Sequence, residues 1–264
     1  AQYGLDLPLW QQYSIYLMNL LQGDMGVSLV SKREVTDIIA QAFPVSMELG
    51  LRALIFAVII GIGLGIVAGL KRGTAWDTGT MLIALIGVSI PSFILGSLLQ
   101  YFFSVVLFQV TGVHLLPVMG WTDESSKILP AFTLAFGTIA VISRLMRTSL
   151  VEVMGQDYIK AARAKGLSQR ALVVRHALRN SIIPVVTVLG PITALLLTGT
   201  FVVENIFAIP GLGKYFVESV RANDYTVIIG TTLFFGSILI LCNLIVDILH
   251  SVIDPRIKLE SKNL

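Results

Sequence analysis

The sequence predicts an all-α protein that crosses a lipid bilayer several times. Of its 264 residues 55% are hydrophobic and only 13% are charged, whereas about a quarter of a typical globular protein is charged. The charged residues are also clustered, and long stretches between them contain no Asp, Glu, Lys or Arg. About 20 apolar residues cross the hydrocarbon core as a helix, which satisfies every backbone amide internally. These stretches are therefore predicted to be membrane-spanning helices.

Residues 1–45 contain no stretch of that length. Apolar side chains recur there at helical spacing, which predicts an amphipathic helix packed on the surface of the bundle. These side chains are Leu5, Leu9, Tyr13, Tyr16, Leu17, Leu20 and Leu21.

Five stretches after residue 45 are long enough to span the bilayer. In the first, Gly61, Gly65 and Gly69 recur every four residues, a spacing that lets a neighbouring helix approach closely. The second contains Pro91, which removes a backbone hydrogen bond that neighbouring hydroxyl groups or water can replace. The predicted spans are 46–70, 80–108, 128–150, 182–203 and 226–250.

Lysine and arginine residues predict the orientation, because they are in excess at the cytoplasmic ends of spans. About two thirds of the 19 lysines and arginines lie within 71–72, 144–179 and 256–262. These regions are predicted to face the cytoplasm, which places residues 1–45 outside. The predicted division is an extracytoplasmic amphipathic segment at 1–41, a transmembrane domain at 42–254 and a cytoplasmic tail at 255–264.

Residues 151–181 are the most charged part of the chain and are predicted to form two short helices. Asp157 is expected to cap the first, 158–165, and Gly166 to end it in the left-handed conformation that glycine enters most easily. Ser168 is expected to cap the second. One face of that helix is predicted to consist of Leu167, Ala171, Val174 and Leu178.

The first of these helices combines small residues with positive charge. Small side chains let a helix seat deeply in the groove of a partner, and the charges can set its register. The alternative is a basic cytoplasmic loop that only obeys the orientation rule. Composition alone leaves both open.

The residue order favours the first interpretation. Residues 157–168, Asp-Tyr-Ile-Lys-Ala-Ala-Arg-Ala-Lys-Gly-Leu-Ser, closely resemble the coupling segment of binding-protein-dependent importer permeases of the dipeptide/oligopeptide family. The general motif of that family is Glu-Ala-Ala, three residues, Gly, and further on Ile-x-Leu-Pro. Ala161, Ala162, Gly166 and Leu178 stand at the matching positions, and we call residues 151–181 the coupling segment.

Departures from the general motif indicate a branch of the family. Lys160, His176 and Arg179 replace its Glu, Ile and Pro, as in the peptide and nickel branch. Nearly the whole chain resembles the B-type subunit of these importers, in the order that the family has. The other matching segments are 3–10, 23–28, 90–96, 115–118, 129–131, 209–213, 223–225 and 254–258. A further helix precedes them in that family, so this chain is expected to lack the family's first span.

The resemblance implies the transmembrane domain of a type I ABC importer and a permease subunit that forms the path for dipeptides or oligopeptides. It implies a multi-pass protein in the cytoplasmic membrane of a prokaryote. Expected partners are a homologous second permease, two ATP-binding subunits and an external solute-binding protein, besides the lipid bilayer. ATP and Mg would bind to the ATP-binding subunits, so this chain is expected to hold no cofactor or metal and to be no enzyme.

The resemblance also implies which residues act. The residues expected to contact an ATP-binding subunit are Lys160, Ala161, Ala162, Arg163, Ala164, Lys165, Gly166 and Leu167. Hydroxyl residues are weaker candidates for lining the path, because hydroxyl groups also bond the backbone of membrane helices. These candidates are Ser89, Ser92, Thr193, Thr198 and Thr200.

Two other functions stay open. The same branch of the family includes importers of nickel or metal chelates. An ion-coupled secondary transporter is the alternative from another class, but Glu48, Arg52, Glu204 and Asp247 lie toward span ends rather than at the midplane. The three histidines lack the spacing of metal ligands or of a catalytic triad, and no Gly-rich phosphate loop is present. A net charge of +3 is too small to indicate nucleic acid.

Overall fold

The computed structural model describes residues 7–113, 115–197 and 201–253. In these ranges regular structure is helical, apart from one β-bridge between Val27 and Glu34. A π-helical turn joins α4 to α5 and another joins α8 to α9, and a 3-10 turn, Glu124–Lys127, leads into α6. The α-helices are α1 (Leu9–Leu21), α2 (Val35–Leu70), α3 (Ala75–Ser89), α4 (Ser92–Tyr101), α5 (Leu107–Thr111), α6 (Ile128–Met154), α7 (Asp157–Ala164), α8 (Gln169–Leu172), α9 (Leu178–Ser181), α10 (Ile183–Leu197), α11 (Phe201–Ile206), α12 (Leu212–Ala222) and α13 (Tyr225–Ile253).

Five stretches of the described helices are long and apolar enough to cross a membrane. They are Val35–Leu70, Ser92–Thr111, Glu124–Met154, Ile183–Ile206 and Tyr225–Ile245. Their number confirms the predicted five spans, and the chain is an all-α, multi-pass membrane protein.

The first span begins earlier than the sequence predicts. α2 starts at Val35 rather than at residue 46. Polar residues interrupt the apolar run before residue 46, but Ile38 and Ala42 are buried in a cluster with residues of α12 and α13. This packing extends the helix, and the predicted domain boundary between residues 41 and 42 falls inside it.

The second predicted span, 80–108, is not one continuous helix. It is broken at Ile90 and Pro91 into α3 and α4. Proline lacks an amide hydrogen and restricts the residue before it to extended backbone, and Ile90 has φ −84° and ψ 120°. The chain therefore leaves the helix instead of repairing the lost hydrogen bond within it.

The amphipathic helix predicted within residues 1–45 is α1, and only one stripe of it is partly covered. No residue of α1 is buried, and Leu9 and Trp10 are 83% and 67% exposed. The helix has no charged residue and its apolar side chains lie all round it. Tyr16 and Leu20, four residues apart on one face of the helix, are half-buried, and the hydroxyl oxygen of Tyr16 is buried. Leu5 lies outside the described residues.

α2 and α6 run parallel and pack through the glycines of α2. A Cβ atom at Gly61 would lie 2.9 Å from Ile142, and one at Gly65 would lie 2.6 Å from the Cβ of Met146. Carbon atoms do not come this close, so a larger residue at either position would push the helices apart. The predicted close approach is confirmed.

The coupling segment lies at one end of the helix bundle. α2 and α6 both end beside the coupling segment. We call this end of the bundle the coupling-segment end, and the opposite end, where both helices begin, the far end. α3 and α4 return toward the far end, because Asp77 contacts Arg147 late in α6 whereas Gly96 lies against Thr133 early in α6. α6 thus passes from the far end to the coupling segment and contacts both halves of the broken span.

Candidate functional site

The coupling segment folds back against the end of α6. Ile159 in α7 is fully buried in the same apolar cluster as Ile142 and Leu150 of α6. Ala162, one turn later in α7, is half-buried and packs against this cluster. One face of α7 is therefore fixed to the spans.

The first helix of the segment ends at a glycine, as predicted. Gly166 has φ +82°, and its amide donates to the carbonyl of Arg163 at 3.0 Å. Nothing lies within 4 Å of the place where a Cβ would be. The backbone conformation alone, and not crowding, therefore requires glycine here.

One of the two predicted caps is confirmed and the other is wrong. The hydroxyl of Ser168 accepts a hydrogen bond from the amide of Ala171 at 3.4 Å, at the start of α8. Asp157 does not cap α7, because Gln156 precedes the helix and makes no capping bond through its side chain. Asp157 is the first helical residue, and its carboxylate accepts from Lys160 at 2.9 Å.

The predicted apolar face of the second helix is only partly confirmed. The helix begins only at Gln169, and the π-helical turn Val173–Ala177 adds a residue to the turn and rotates the residues after it. Val174, predicted to be on the apolar face, is 59% exposed. The buried residues are Leu172, Val173, Ala177 and Ser181. Leu167, Ala171 and Leu178 are half-buried.

The residues predicted to contact an ATP-binding subunit divide into two groups. Ala162 and Leu167 face partly inward, so they support the segment rather than offer an open surface. The others form the exposed surface of the first helix and its end: Lys160, Ala161, Arg163, Ala164, Lys165 and Gly166. This surface combines two alanines with three positive charges, of which Lys160 is paired with Asp157.

A charged pair next to the coupling segment is not predicted by the sequence. Arg147 donates to both carboxylate oxygens of Asp77, at 3.0 and 2.8 Å, and Asp77 is buried. The same carboxylate accepts from the amide of Gly73 at 3.0 Å. This bidentate pair ties the turn between α2 and α3 to α6. Both residues are visible in the sequence as polar residues at span ends, but no local signal joins them.

The structure divides the candidates for lining the path. Ser92 lies on a cavity between α3, α4, α6 and α10. Ser89, at the end of α3, is exposed and donates to the carbonyl of Leu85 in its own helix at 2.7 Å. Thr193 is half-buried in α10. Thr198 and Thr200 lie outside the described residues.

Four charged side chains form a network at the far end of α2 and α6. Arg52 contacts Glu48 and Glu124, each at 2.7 Å, and Lys127 contacts the same two carboxylates at 2.9 Å. The charges compensate one another, so the network joins the start of α6 to α2. Among the described residues no group of three His, Cys, Asp or Glu side chains could hold a metal ion.

Glu204 is completely buried at the far end, where α11 turns into α12. Its carboxylate accepts from the hydroxyl of Ser46 at 2.7 Å and from the amide of Lys214 at 3.1 Å. The Ser46 hydroxyl in turn accepts from the amide of Leu212 at 2.8 Å. Glu204 and Ser46 thus bind the free amides at the start of α12. This agrees with the predicted position of Glu204 toward a span end; the side chain of Asp247 lies outside the described residues.

A second carboxylate joins the segment before α2 to the start of α13. Asp224 is buried and accepts from the hydroxyl of Ser28 and from the amides of Leu29 and Val30, at 3.1 and 3.3 Å. Burial raises the pKa of Asp224, but these hydrogen bonds outweigh it and hold the pKa below its usual range. We call this contact the Ser28–Asp224 latch. It brings together two of the family-like segments, 23–28 and 223–225.

Comparisons with known proteins agree with this architecture. A family model described as "Binding-protein-dependent transport system inner membrane component" matches residues 61–259. The dipeptide transport system permease protein DppB of Bacillus subtilis is 48% identical over 263 residues, 99% of this chain and 83% of that protein. The oligopeptide transport system permease protein OppB of Haemophilus influenzae is 40% identical over 261 residues, 98% and 83% of the two chains.

A solved structure gives the fold. The structure of the MetNI methionine ABC transporter in inward-facing conformations matches with a TM-score of 0.65, over 82% of this chain and 96% of that chain. The sequence identity is 18%, so the likeness concerns the fold alone. That fold is the transmembrane domain of a type I ABC importer.

Proposed function

The chain belongs to the family of binding-protein-dependent transport system inner membrane components, and we propose that it is a permease subunit of a peptide importer driven by ATP-binding partners. The observation that carries the proposal is the coupling segment, which has an exposed small and basic surface on one side and the core of the spans on the other. A surface built in this way accepts movement from a partner and passes it to the spans.

Relatives support peptides as the substrate. The proteins compared above are named as dipeptide and oligopeptide permeases, which favours peptides over nickel or metal chelates. Dependence on a binding protein, stated in the family description, argues against an ion-coupled secondary transporter. We infer a location in the cytoplasmic membrane of a prokaryote.

The proposed complex contains a homologous second permease, two ATP-binding subunits and an external solute-binding protein. ATP and Mg would bind only to the ATP-binding subunits. Large apolar side chains exposed along α3 and α13, such as Leu85 and Ile240, support a second permease and lipid as neighbours of this chain.

The mechanism we infer begins at α7. An ATP-binding subunit that closes on the exposed surface would push α7 and, through buried Ile159, the end of α6. The hydrogen bond from Asn180 to the hydroxyl of Tyr158, at 2.7 Å, holds the two helices of the segment together during this movement. Alternating access results if ATP binds better to the complex in one conformation of the spans, because only that difference shifts the population.

Tryptophan scanning of the exposed alanines tests the proposal. Ala164→Trp adds bulk on the exposed surface and should leave the chain folded in the membrane while abolishing copurification of the ATP-binding subunits and peptide uptake. Thr148→Trp, at an exposed position of α6 before the coupling segment, is the matched control and should transport normally. Both measurements are made on the complete complex and normalised to the amount of this chain.

The results distinguish a coupling surface from a basic loop. If Ala164→Trp binds the ATP-binding subunits and transports peptide as well as Thr148→Trp does, the exposed surface is not where those subunits act. Ala162→Trp is unsuitable for this test, because Ala162 packs against the chain's own core and its enlargement would disturb folding.

A further inference from the structure

The broken span exposes backbone inside the membrane-spanning region. Ser89 and Pro91 are exposed at the break and Ile90 is half-buried. The break lies beside the half of α6 nearest the far end, because Gly87 before it packs against Phe136. Non-helical backbone at membrane depth is tolerated where it is covered by protein or lines a polar cavity, but not against lipid tails. This side of the chain therefore faces something other than lipid.

A cavity of about 360 Å³ opens at the break. Its walls come from α3, α4, α6 and α10, and include Val88, Leu95, Gly137 and Val141. Among the lining residues that the structure describes none is charged, and the only hydroxyl groups are those of Ser92, Thr133 and Thr138. The hydroxyl of Thr133 is already bonded to the carbonyl of Leu129 at 2.8 Å. The cavity is therefore mainly apolar.

Size and chemistry indicate one kind of occupant. Pockets for small molecules measure about 300–1,000 Å³, so this cavity is at the lower limit and fits one large side chain rather than a whole oligopeptide. An uncharged wall would exclude a charged peptide terminus unless its charge were paired. An apolar side chain enters the cavity without the cost of burying an unpaired charge.

We propose that this cavity is a subsite of the translocation path that receives an apolar side chain of the passing peptide. The inference rests on the proposed function, since it assumes that peptides pass this side of the chain. The subsite then contributes to selectivity by the size of a side chain, in addition to what an external binding protein selects.

Filling the cavity tests the inference. Gly137 lies on its wall, and a Cβ there would be 3.5 Å from the carbonyl oxygen of Gly87, an ordinary contact. Gly137→Leu therefore starts without a clash and occupies the cavity. The probes are peptide pairs of equal length and charge, Ala-Ala with Ala-Phe and Ala-Ala-Ala with Ala-Ala-Phe, given to the complete transporter with its binding protein.

In Gly137→Leu we expect uptake of the phenylalanine peptide to fall about tenfold relative to its alanine partner, because loss of a fitted apolar contact is worth about this factor. Gly63→Leu is the matched control, since nothing lies within 4 Å of its Cβ position and it does not line the cavity. It should leave the ratio of the two uptake rates unchanged. Leu95→Ala, which widens the cavity, should raise the uptake of Ala-Trp relative to that of Ala-Ala.

Each outcome decides one question. If Gly137→Leu lowers the uptake of both peptides equally, or changes neither, the cavity does not receive the side chain and the inference is overturned. Equal loss together with loss of the second permease from the purified complex would show instead that a side chain of that subunit fills the cavity. If the unmodified complex takes up none of the four alanine and phenylalanine peptides, the proposed function itself fails.

Discussion

Gly166 is held in a conformation that other residues enter only at a cost. A β-branched residue at φ +82° would raise the free energy of the folded protein by about 1–2 kcal/mol. α7 would then have to end in another backbone conformation. We predict that Gly166→Val remains in the membrane but transports at least tenfold less peptide per molecule. Uptake normalised to the amount of the chain measures this effect.

The turn between α2 and α3 offers a matched control for this substitution. Gly73 has φ +77° and, like Gly166, nothing within 4 Å of its Cβ position. Gly73→Val therefore introduces the same backbone strain at the same end of the bundle, outside the coupling segment. If both variants lose uptake equally, backbone strain explains the loss and the role of Gly166 in coupling is refuted.

The Ser28–Asp224 latch should make stability depend on pH. The pKa of Asp224 is lower in the folded protein than in the unfolded chain, where it is about 3.9. The carboxylate therefore contributes stability above about pH 4, and this contribution is lost as the pH falls through the lower folded-state pKa. Melting curves of the purified protein between pH 5 and pH 3 should show the loss.

Asp224→Asn is the variant that isolates the latch. At neutral pH we expect it to unfold with about 1–3 kcal/mol less free energy, because an amide cannot accept all the hydrogen bonds that the carboxylate accepts. Its stability should also fall less than that of the unmodified protein between pH 5 and pH 3. An unchanged pH dependence would mean that other groups dominate acid unfolding.

At the scale of helices, the start of α12 depends on α2. The hydroxyl of Ser46 bridges the Glu204 carboxylate and the amide of Leu212. Ser46→Ala leaves both groups buried without this partner, so we predict a loss of about 1–3 kcal/mol and a melting temperature lower by several degrees. Ser89→Ala is the control, because Ser89 is exposed and bonds its own helix; it should melt within about 1 °C of the unmodified protein.

Local features of these helices can be predicted from the sequence. The glycines of α2, the left-handed Gly166 and the cap at Ser168 each depend on residues a few positions apart, so their spacing is informative. At Pro91 the sequence predicts only a weakened helix, because it does not reveal whether neighbouring groups repair the lost hydrogen bond. No pattern in its residues predicts the π-helical turn in the coupling segment.

Long-range contacts cannot be predicted in this way. Asp77 and Arg147 are 70 residues apart in the chain and Ser28 and Asp224 are 196 apart. Each pair is recognisable only when the spans are packed. The cavity at the break likewise combines four helices, and of the predicted path candidates only Ser92 lies on it among the described residues.

At the scale of the whole molecule, the orientation in the membrane is a prediction that labelling can test. Because most lysines and arginines lie at the coupling-segment end, we expect that end to face the cytoplasm. In a background with Cys242 replaced by serine, cysteine at the exposed Thr122 position should react with an impermeant thiol reagent in intact cells. Cysteine at the exposed Gln169 position should react only after the membrane is opened, and the reverse pattern would invert the orientation.

Because α6 is a long helix packed in parallel along α2, a tilt of α6 would move its two ends much further than its middle. α6 has 27 residues and is therefore about 40 Å long, with Ile159 seated at one end and Gly137 on the cavity wall close to its middle. A tilt of about 5° about the midpoint would move each end by about 1.7 Å in opposite directions, comparable to the shifts by which packed helices switch in other proteins. Because Gly137 lies near that pivot, the cavity wall would barely translate while the two ends swing. The subsite would then keep its contact with the bound side chain while one end of the translocation path closes and the other opens.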